Sequence, residues 1–275
     1  MAQLPVHDIQ QVTPVGGGDI NDAYHLQTRD ADYFLLVQPG QPQSFYNHEI
    51  DGLNLLGAVV NVPHVIASGQ IESDAYLLID YIPSGQGDQA QLGQMVAHLH
   101  QTISPNARFG YKTSFYSGNF EVRNDWSDNW CDFFLQTRLQ PLAQNLQQKG
   151  LFLPEWQVEF QHVVVKFQKL MQQHQSKPAL LHGDLWAGNY LFADDGTPYL
   201  IDPSVWYGDR EFDLALTTVF GGYNERFYEG YQQVYPLASG WQARIEFYRL
   251  YYLMLHTYLF GADYQPSVSA ILQQY

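Results

Sequence analysis

The run His182-Gly183-Asp184-Leu185-Trp186-Ala187-Gly188-Asn189, continued by Tyr190-Leu191-Phe192-Ala193-Asp194-Asp195-Gly196-Thr197-Pro198-Tyr199-Leu200-Ile201-Asp202, is the densest polar cluster in an otherwise apolar neighbourhood. Two short apolar segments flank Asp195-Gly196, a dipeptide that tolerates the positive φ angles of a type I′ turn, so the pattern predicts a β-hairpin. A two-residue turn there places Asn189 opposite Asp202 at the hairpin's open end. An amide oxygen beside a carboxylate gives hard ligands suited to Mg2+, which is held by one or two carboxylates plus substrate phosphates. Asp184 precedes the first strand, where a carboxylate can accept a hydroxyl proton while a metal neutralises a transferring phosphoryl group. Singly, Asp and Asn at such positions often only cap turns. Together at these spacings they point to phosphoryl transfer.

Outward from this run, the chain changes character near residue 83. Residues 24–26, 33–38 and 76–81 predict strands broken by turns, with a short helix over 45–56. Pro83-Ser84-Gly85 then punctuates the chain. Beyond it, apolar residues step by three or four, the spacing of one helix face: Leu92, Met95, Leu99 and Ile103 in one segment, Trp156, Phe160, Val163, Phe167 and Leu170 in a second. Residues 241–260 repeat the pattern, and residues 130–149 predict one more helix, ended by Lys149 and Gly150. The expected fold class is α+β. A small β-rich part with one helix spans 1–82, a larger mainly helical part spans 83–275, and the cleft between them is the default ligand site.

Composition bounds the function. The 275 residues and 45% hydrophobic content suit an ordinary globular protein. A formal charge of −15 repels phosphate backbones and anionic membrane surfaces, which argues against nucleic acid or a membrane as partner. The same field attracts a substrate amine, or it serves solubility alone. The Met1 start lacks a basic region followed by an apolar run, and no apolar stretch reaches membrane-spanning length, so a cytoplasmic protein is expected. The single Cys131 cannot form an internal disulfide; beside Trp130, Phe133 and Phe134 it reads as part of a helix face. Oligomeric state is not encoded in these patterns.

His182-x-Asp184, with Asn189 five residues beyond Asp184, resembles the catalytic loop of the protein-kinase-like superfamily, and Ile201-Asp202 resembles its magnesium-binding aspartate. The likeness is closer to one family. His182 to Asn189, and the stretch from Leu200 through Asp202-Pro203-Ser204-Val205-Trp206-Tyr207-Gly208-Asp209-Arg210-Glu211-Phe212-Asp213 to Ala215, resemble the fructosamine kinase (ketosamine 3-kinase) signature almost residue for residue. That resemblance implies a bilobal kinase-like fold and ATP- and Mg2+-dependent phosphorylation of a sugar hydroxyl on a ketosamine, small or protein-linked. It implies that Asp184 is the catalytic carboxylate, that Asn189 and Asp202 hold the metal, and that His182 and Asp213 support the loop. The nucleotide falls to the glycine-rich Gly16, Gly17, Gly18 and Asn21, to Glu49, and to the crossing segment Asp80, Tyr81 and Ile82. Trp186, Asp209, Arg210, Glu211 and His256 fall near the sugar. For Trp186, a sugar face and a core position are both open readings.

One departure stands out. Relatives carry a lysine on the second strand that contacts nucleotide phosphates and pairs with the helix glutamate. Here Leu36 occupies that position, and Arg29 is the only lysine or arginine in the first hundred residues. Two expectations follow: a working phosphotransferase that holds its nucleotide by other means, or a kinase-like protein with little transfer activity that binds or regulates.

Overall fold

The computed structural model describes residues 4–16 and 22–275. Gly17, Gly18 and Asn21 of the expected nucleotide loop lie outside the described residues. The strands are β1 (Gln11–Val15), β2 (Asp22–Gln27), β3 (Asp32–Gln38), β4 (Val65–Ile71), β5 (Asp74–Asp80), β6 (Phe115–Ser117), β7 (Phe120–Val122), β8 (Ala179–Leu181), β9 (Tyr190–Phe192), β10 (Pro198–Leu200) and β11 (Trp206–Gly208). The helices are α1 (Asn47–Gly57), α2 (Gln89–Gln101), α3 (Trp130–Phe134), α4 (Gln140–Gln148), α5 (Trp156–Met171), α6 (Arg210–Thr217), α7 (Glu225–Val234), α8 (Trp241–Phe260) and α9 (Gln265–Leu272).

These elements form two units. The first comprises residues 1–88 and 189–204; the second comprises 89–188 and 205–275. The first holds an antiparallel sheet in the order β1-β2-β3-β5-β4. Its alternating side chains bury Leu26, Leu35 and Leu78 with Leu4, and Tyr24, Tyr33 and Val37 pack against them. Helix α1 buries Gly52, Leu53 and Leu56. Gly52 meets Pro203 so closely that an added Cβ would lie 2.9 Å from the proline ring.

The hairpin of β9 and β10 belongs to this first unit, whereas the sequence pattern assigns it to the helical part. Backbone bonds carry it there: Leu200 N–H to Asn61 O at 3.0 Å and Gly85 N–H to Phe192 O at 2.7 Å. Its register also differs from expectation. Tyr199 pairs with Leu191, and Leu200 pairs with Tyr190. Asp194, Asp195 and Gly196 form a three-residue loop, with Gly196 N–H bonded to Ala193 O and Gly196 at φ +86°. That is a type I turn closed by a left-handed glycine, and the extra residue shifts the pairing by one. Asn189 therefore bonds Ile201, whose N–H reaches the Asn189 carbonyl at 3.0 Å, and Asp202 lies one residue further on.

The second unit is helical around an aromatic core. Trp130, Phe134, Trp206, Phe212 and Tyr248 are all buried, with Trp130 and Trp206 stacked at 5.8 Å. The helix expected over 130–149 is interrupted by a π turn over Leu135–Leu139, between α3 and α4. Pro141 has no N–H to give to the carbonyl four residues back, so the ladder widens just ahead of it. The wide turn carries Arg138, fully buried, with its guanidinium 4.3 Å from the Trp206 ring centre. Burial lowers the Arg138 pKa to about 10. Burial and then the charge of Asp132 raise the Cys131 thiol to about 11, which leaves it a weak nucleophile at neutral pH.

Helices α2 and α7 cross at two glycines. A Cβ on Gly93 would sit 2.0 Å from the Phe227 carbonyl oxygen, and one on Gly230 would sit 2.1 Å from that of Ala90. Both obstacles are backbone and cannot rotate away. Gly93→Ala is therefore expected to destabilise the protein by about 1–3 kcal/mol through overpacking, despite alanine's better helix propensity. A urea midpoint at or above that of the parent would refute this close crossing. Among the described residues, no helix is long and apolar enough to cross a membrane.

Candidate active site

Strand β8 is buried throughout and pairs with β11, and the chain leaves it into the loop of 182–189. His182 is completely buried, and Gly183 takes φ +85°, a conformation that glycine adopts without strain. Both residues hang from one carboxylate: the His182 and Gly183 amides donate to Asp213 at 2.7 and 3.0 Å. Asp213 is itself fully buried on α6 and lies 3.2 Å from Nε2 of His100, whose Nδ1 is 2.9 Å from the Tyr231 hydroxyl. The Asp184 amide donates to Nδ1 of His182 at 3.3 Å. Loop backbone and loop side chain are thus held from below, and the Asp184 carboxylate is left partly exposed.

Tyr252 of α8 lies near this carboxylate. Burial, then the charge of Asp213, then Tyr251 and Asp184, push its phenol pKa well above the usual value. Among the described residues its buried hydroxyl has no hydrogen-bond partner. Trp186 projects from the loop, 42% exposed, so its ring is a surface and not a core element. The ring crosses Gly188 so closely that a Cβ there would lie 2.3 Å away.

Asn189 and Asp202, the expected metal ligands, belong to the first unit. Asn189 is 4% exposed and ends a tight turn, while Asp202 is exposed. Asp202 takes φ +52°, a left-handed conformation uncommon for residues other than glycine and a marker of stored strain. Glu49, one turn before Gly52 on α1, has its carboxyl pKa pushed up to about 8 by burial and then by the charge of Asp202. The Tyr46 phenol is raised by burial and by Glu49, Asp202 and Asp22. Leu36 on β3 sits between Ala23 and Leu77 of the neighbouring strands. Among the described residues no lysine or arginine pairs with Glu49, and Arg29 is spent on Asp8 at 3.6 Å. The crossing segment is tied down locally: Asp80 accepts from the His64 amide and lies 2.6 Å from His64 Nδ1, and Tyr81 stacks on His25 at 3.7 Å. Ile82 is partly exposed, and Gly16 follows β1 in an exposed position.

The profile of the family described as fructosamine kinase matches residues 2–275. The chain belongs to that family. It is 48% identical over its whole length to a Lactiplantibacillus plantarum protein named "Probable ketoamine kinase", covering 98% of that relative. A Staphylococcus aureus protein of the same general name is 46% identical over 98% of this chain and 94% of its own length. The crystal structure of a fructosamine-3-kinase homologue from Thermobifida fusca superposes with TM-score 0.85 at 27% identity, covering 96% of this chain and 93% of that one. An aminoglycoside phosphotransferase superposes at TM-score 0.62 and 15% identity, covering 96% of this chain and 94% of the other, a likeness of fold alone. The protein is a fructosamine kinase family phosphotransferase with a kinase-like α+β fold.

Three of the residues expected at the sugar end are bonded within the protein. Asp209 is 2% exposed; its carboxylate caps α6 through the Glu211 amide and is held by His174 at 2.7 Å and Ser176 at 2.6 Å. Burial raises its pKa, but the His174 hydrogen bond and charge outweigh this and hold it below the ordinary value. Glu211 makes two bonds to Arg244, at 2.7 and 2.6 Å. Arg210 donates to the carbonyls of Tyr235 and Pro236 and stacks 3.5 Å from the Tyr235 ring centre. Each polar head is bonded within the protein around the start of α6. His174, Asp209 and Glu211 stand close enough to hold a metal ion, but the Arg244 guanidinium supplies the countercharge.

His256 is placed differently. Its imidazole is surrounded by Phe220, Phe260 and Tyr264, which sequence reasoning missed along with His100 and Tyr252. One signal was available: 256, 260 and 264 recur every four residues near the chain's end. The α8 C-terminus that intervenes hides it from a helix-period reading.

Proposed function

We propose that this protein transfers the γ-phosphoryl group of magnesium-ATP to a sugar hydroxyl of a ketosamine, the sugar-bearing part of a glycated amine. Family membership across residues 2–275 carries the reading, and the names of the relatives supply the acceptor class. The donor set suits the metal: an Asn189 amide oxygen and an exposed Asp202 carboxylate, hard oxygens on either side of one hairpin. Bound there, Mg2+ supplies charge neutralisation for the triphosphate.

The chain's own residues do the rest. Asp184, held in place through backbone bonds to Asp213, accepts the proton of the sugar hydroxyl as its oxygen bonds to the γ-phosphorus. The bond between that phosphorus and the bridging oxygen breaks, and ADP leaves with the electron pair. Trp186 offers an exposed ring for the apolar face of a sugar.

A second reading has its own observation. Leu36 leaves Glu49 without a cationic partner among the described residues, which suits a protein that binds nucleotide weakly and regulates instead of catalysing. Calorimetric titration with magnesium-ATP, followed by ATP-consumption assays on a panel of ribulosamines and fructosamines, separates the two. Turnover supports the kinase; binding without turnover on any acceptor supports the second reading. If the missing cation limits the rate, Leu36→Lys is expected to lower KM for ATP or raise kcat, since it restores phosphate positioning. Unchanged kinetics in an active parent would mean that another group holds the phosphates.

A further inference from the structure

The end of α8 carries an aromatic enclosure that the transfer chemistry does not use. Ring centres of Phe220, Phe260 and Tyr264 lie 4.4, 5.4 and 5.3 Å from that of His256. Phe220 is 39% exposed and Phe260 is 61% exposed, so the enclosure opens to solvent. Nδ1 of His256 lies 2.9 Å from the Tyr252 carbonyl. A carbonyl only accepts, so Nδ1 carries the proton, and Nε2 is left as a lone-pair acceptor. Burial lowers the imidazole pKa and keeps this neutral form at pH 7. Among the described residues nothing donates to Nε2.

The position matters as much as the chemistry. Burial first, and the Asp184 carboxylate among lesser causes, raise the phenols of both Tyr251 and Tyr252. His256 follows Tyr252 by one turn of α8, about 6 Å of rise. Phe220 comes seven residues after Asp213, which holds the loop of Asp184. The Tyr223 hydroxyl reaches the carbonyls of Leu185 and Trp186 at 3.5 and 3.4 Å, so the segment that starts at Phe220 lies against the loop that carries Asp184. Its ring faces are negative and favour apolar or cationic groups. Its one polar atom is an acceptor. A sugar needs donors and acceptors around its hydroxyls, whereas an amine substituent needs one acceptor and apolar walls.

We propose that this enclosure is the subsite for the amine arm of the acceptor. The amine N–H donates to Nε2 of His256, and the organic substituent on nitrogen lies against Phe220, Phe260 and Tyr264. The assignment rests on the ketosamine reading and adds which part of that substrate the protein distinguishes. It implies selection for bulky apolar or aromatic amines over small ones.

The test compares two acceptors that share one sugar, N-ribulosyl benzylamine and N-ribulosyl methylamine, in the parent, Phe260→Ala and Phe260→Trp proteins. Phe260 is largely exposed, and the methylamine acceptor reports in each protein whether the catalytic machinery is intact. The parent is expected to show the lower KM for the benzyl acceptor. In Phe260→Ala the ratio of the two KM values should shift against that acceptor by about 3-fold to 10-fold, as loss of one aromatic contact implies. Phe260→Trp should restore it. A KM ratio that is the same in all three proteins, or KM values that rise equally for both acceptors, overturns the subsite while leaving the kinase reading standing. Failure of the parent to consume ATP with either acceptor, or with any other ketosamine, removes that reading and this assignment with it.

Discussion

Asp184→Asn is expected to lower kcat by about 10²–10⁴-fold while magnesium-ATP affinity stays within a few-fold, because the amide keeps the shape of the carboxylate but cannot take a proton. The substitution should not unfold the loop. Its support comes from the His182 and Gly183 amides on Asp213 and from the Asp184 backbone on His182, none of which uses the Asp184 side chain. Initial rates of ATP consumption with a ribulosamine, alongside calorimetric nucleotide binding, measure both quantities. A variant that keeps more than about a third of the parent kcat would take Asp184 out of the chemistry.

The largest effect on stability is expected at Arg244. It forms a two-bond pair with Glu211, which is 1% exposed, and Glu211 stands beside the equally buried Asp209. Burial already raises the Glu211 carboxyl, and Arg244 opposes that rise. Arg244→Met leaves the carboxylate uncompensated in the interior and should cost about 3–5 kcal/mol. The double variant Arg244→Met with Glu211→Leu removes both charges and should recover most of the loss. In the single variant the folded-state pKa of Glu211 climbs further above its unfolded value. Between those two values the folded state binds the proton that the unfolded state has released, so stability falls as pH rises. Urea unfolding at several pH values checks both the size and the slope. A single variant within about 1 kcal/mol of the parent would mean that the pair contributes little.

The parts legible in the sequence are those written in contiguous residues. The run from His182 to Asp202 shows its loop and hairpin because turn and strands follow one another within two dozen positions. The stripes of α2, α5 and α8 are legible for the same reason. What the sequence does not show depends on distant partners. Asp209, Arg210 and Glu211 look available beside a catalytic motif, and only His174, Tyr235 and Arg244, each far along the chain, show that they are occupied. The hairpin register slipped by one because Asp194 joins the loop, a choice between turn types that the Asp-Gly dipeptide alone does not make. The break at Arg138 was readable in principle from Pro141, whose missing donor lies inside an otherwise regular helical pattern.

The first unit is written in two separate pieces of chain, 1–88 and 189–204. During synthesis the ribosome must add 116 residues (204 − 88) after the first piece is complete before all of the segment that covers Asn61 and Gly52 exists. At typical elongation rates that is an interval of roughly 6–23 s. Until then α1 has an uncovered glycine face and Asn61 an unmet carbonyl. The nascent protein therefore cannot finish its amino-terminal unit first, and the segment bearing Asn189 and Asp202 arrives as the piece that closes it.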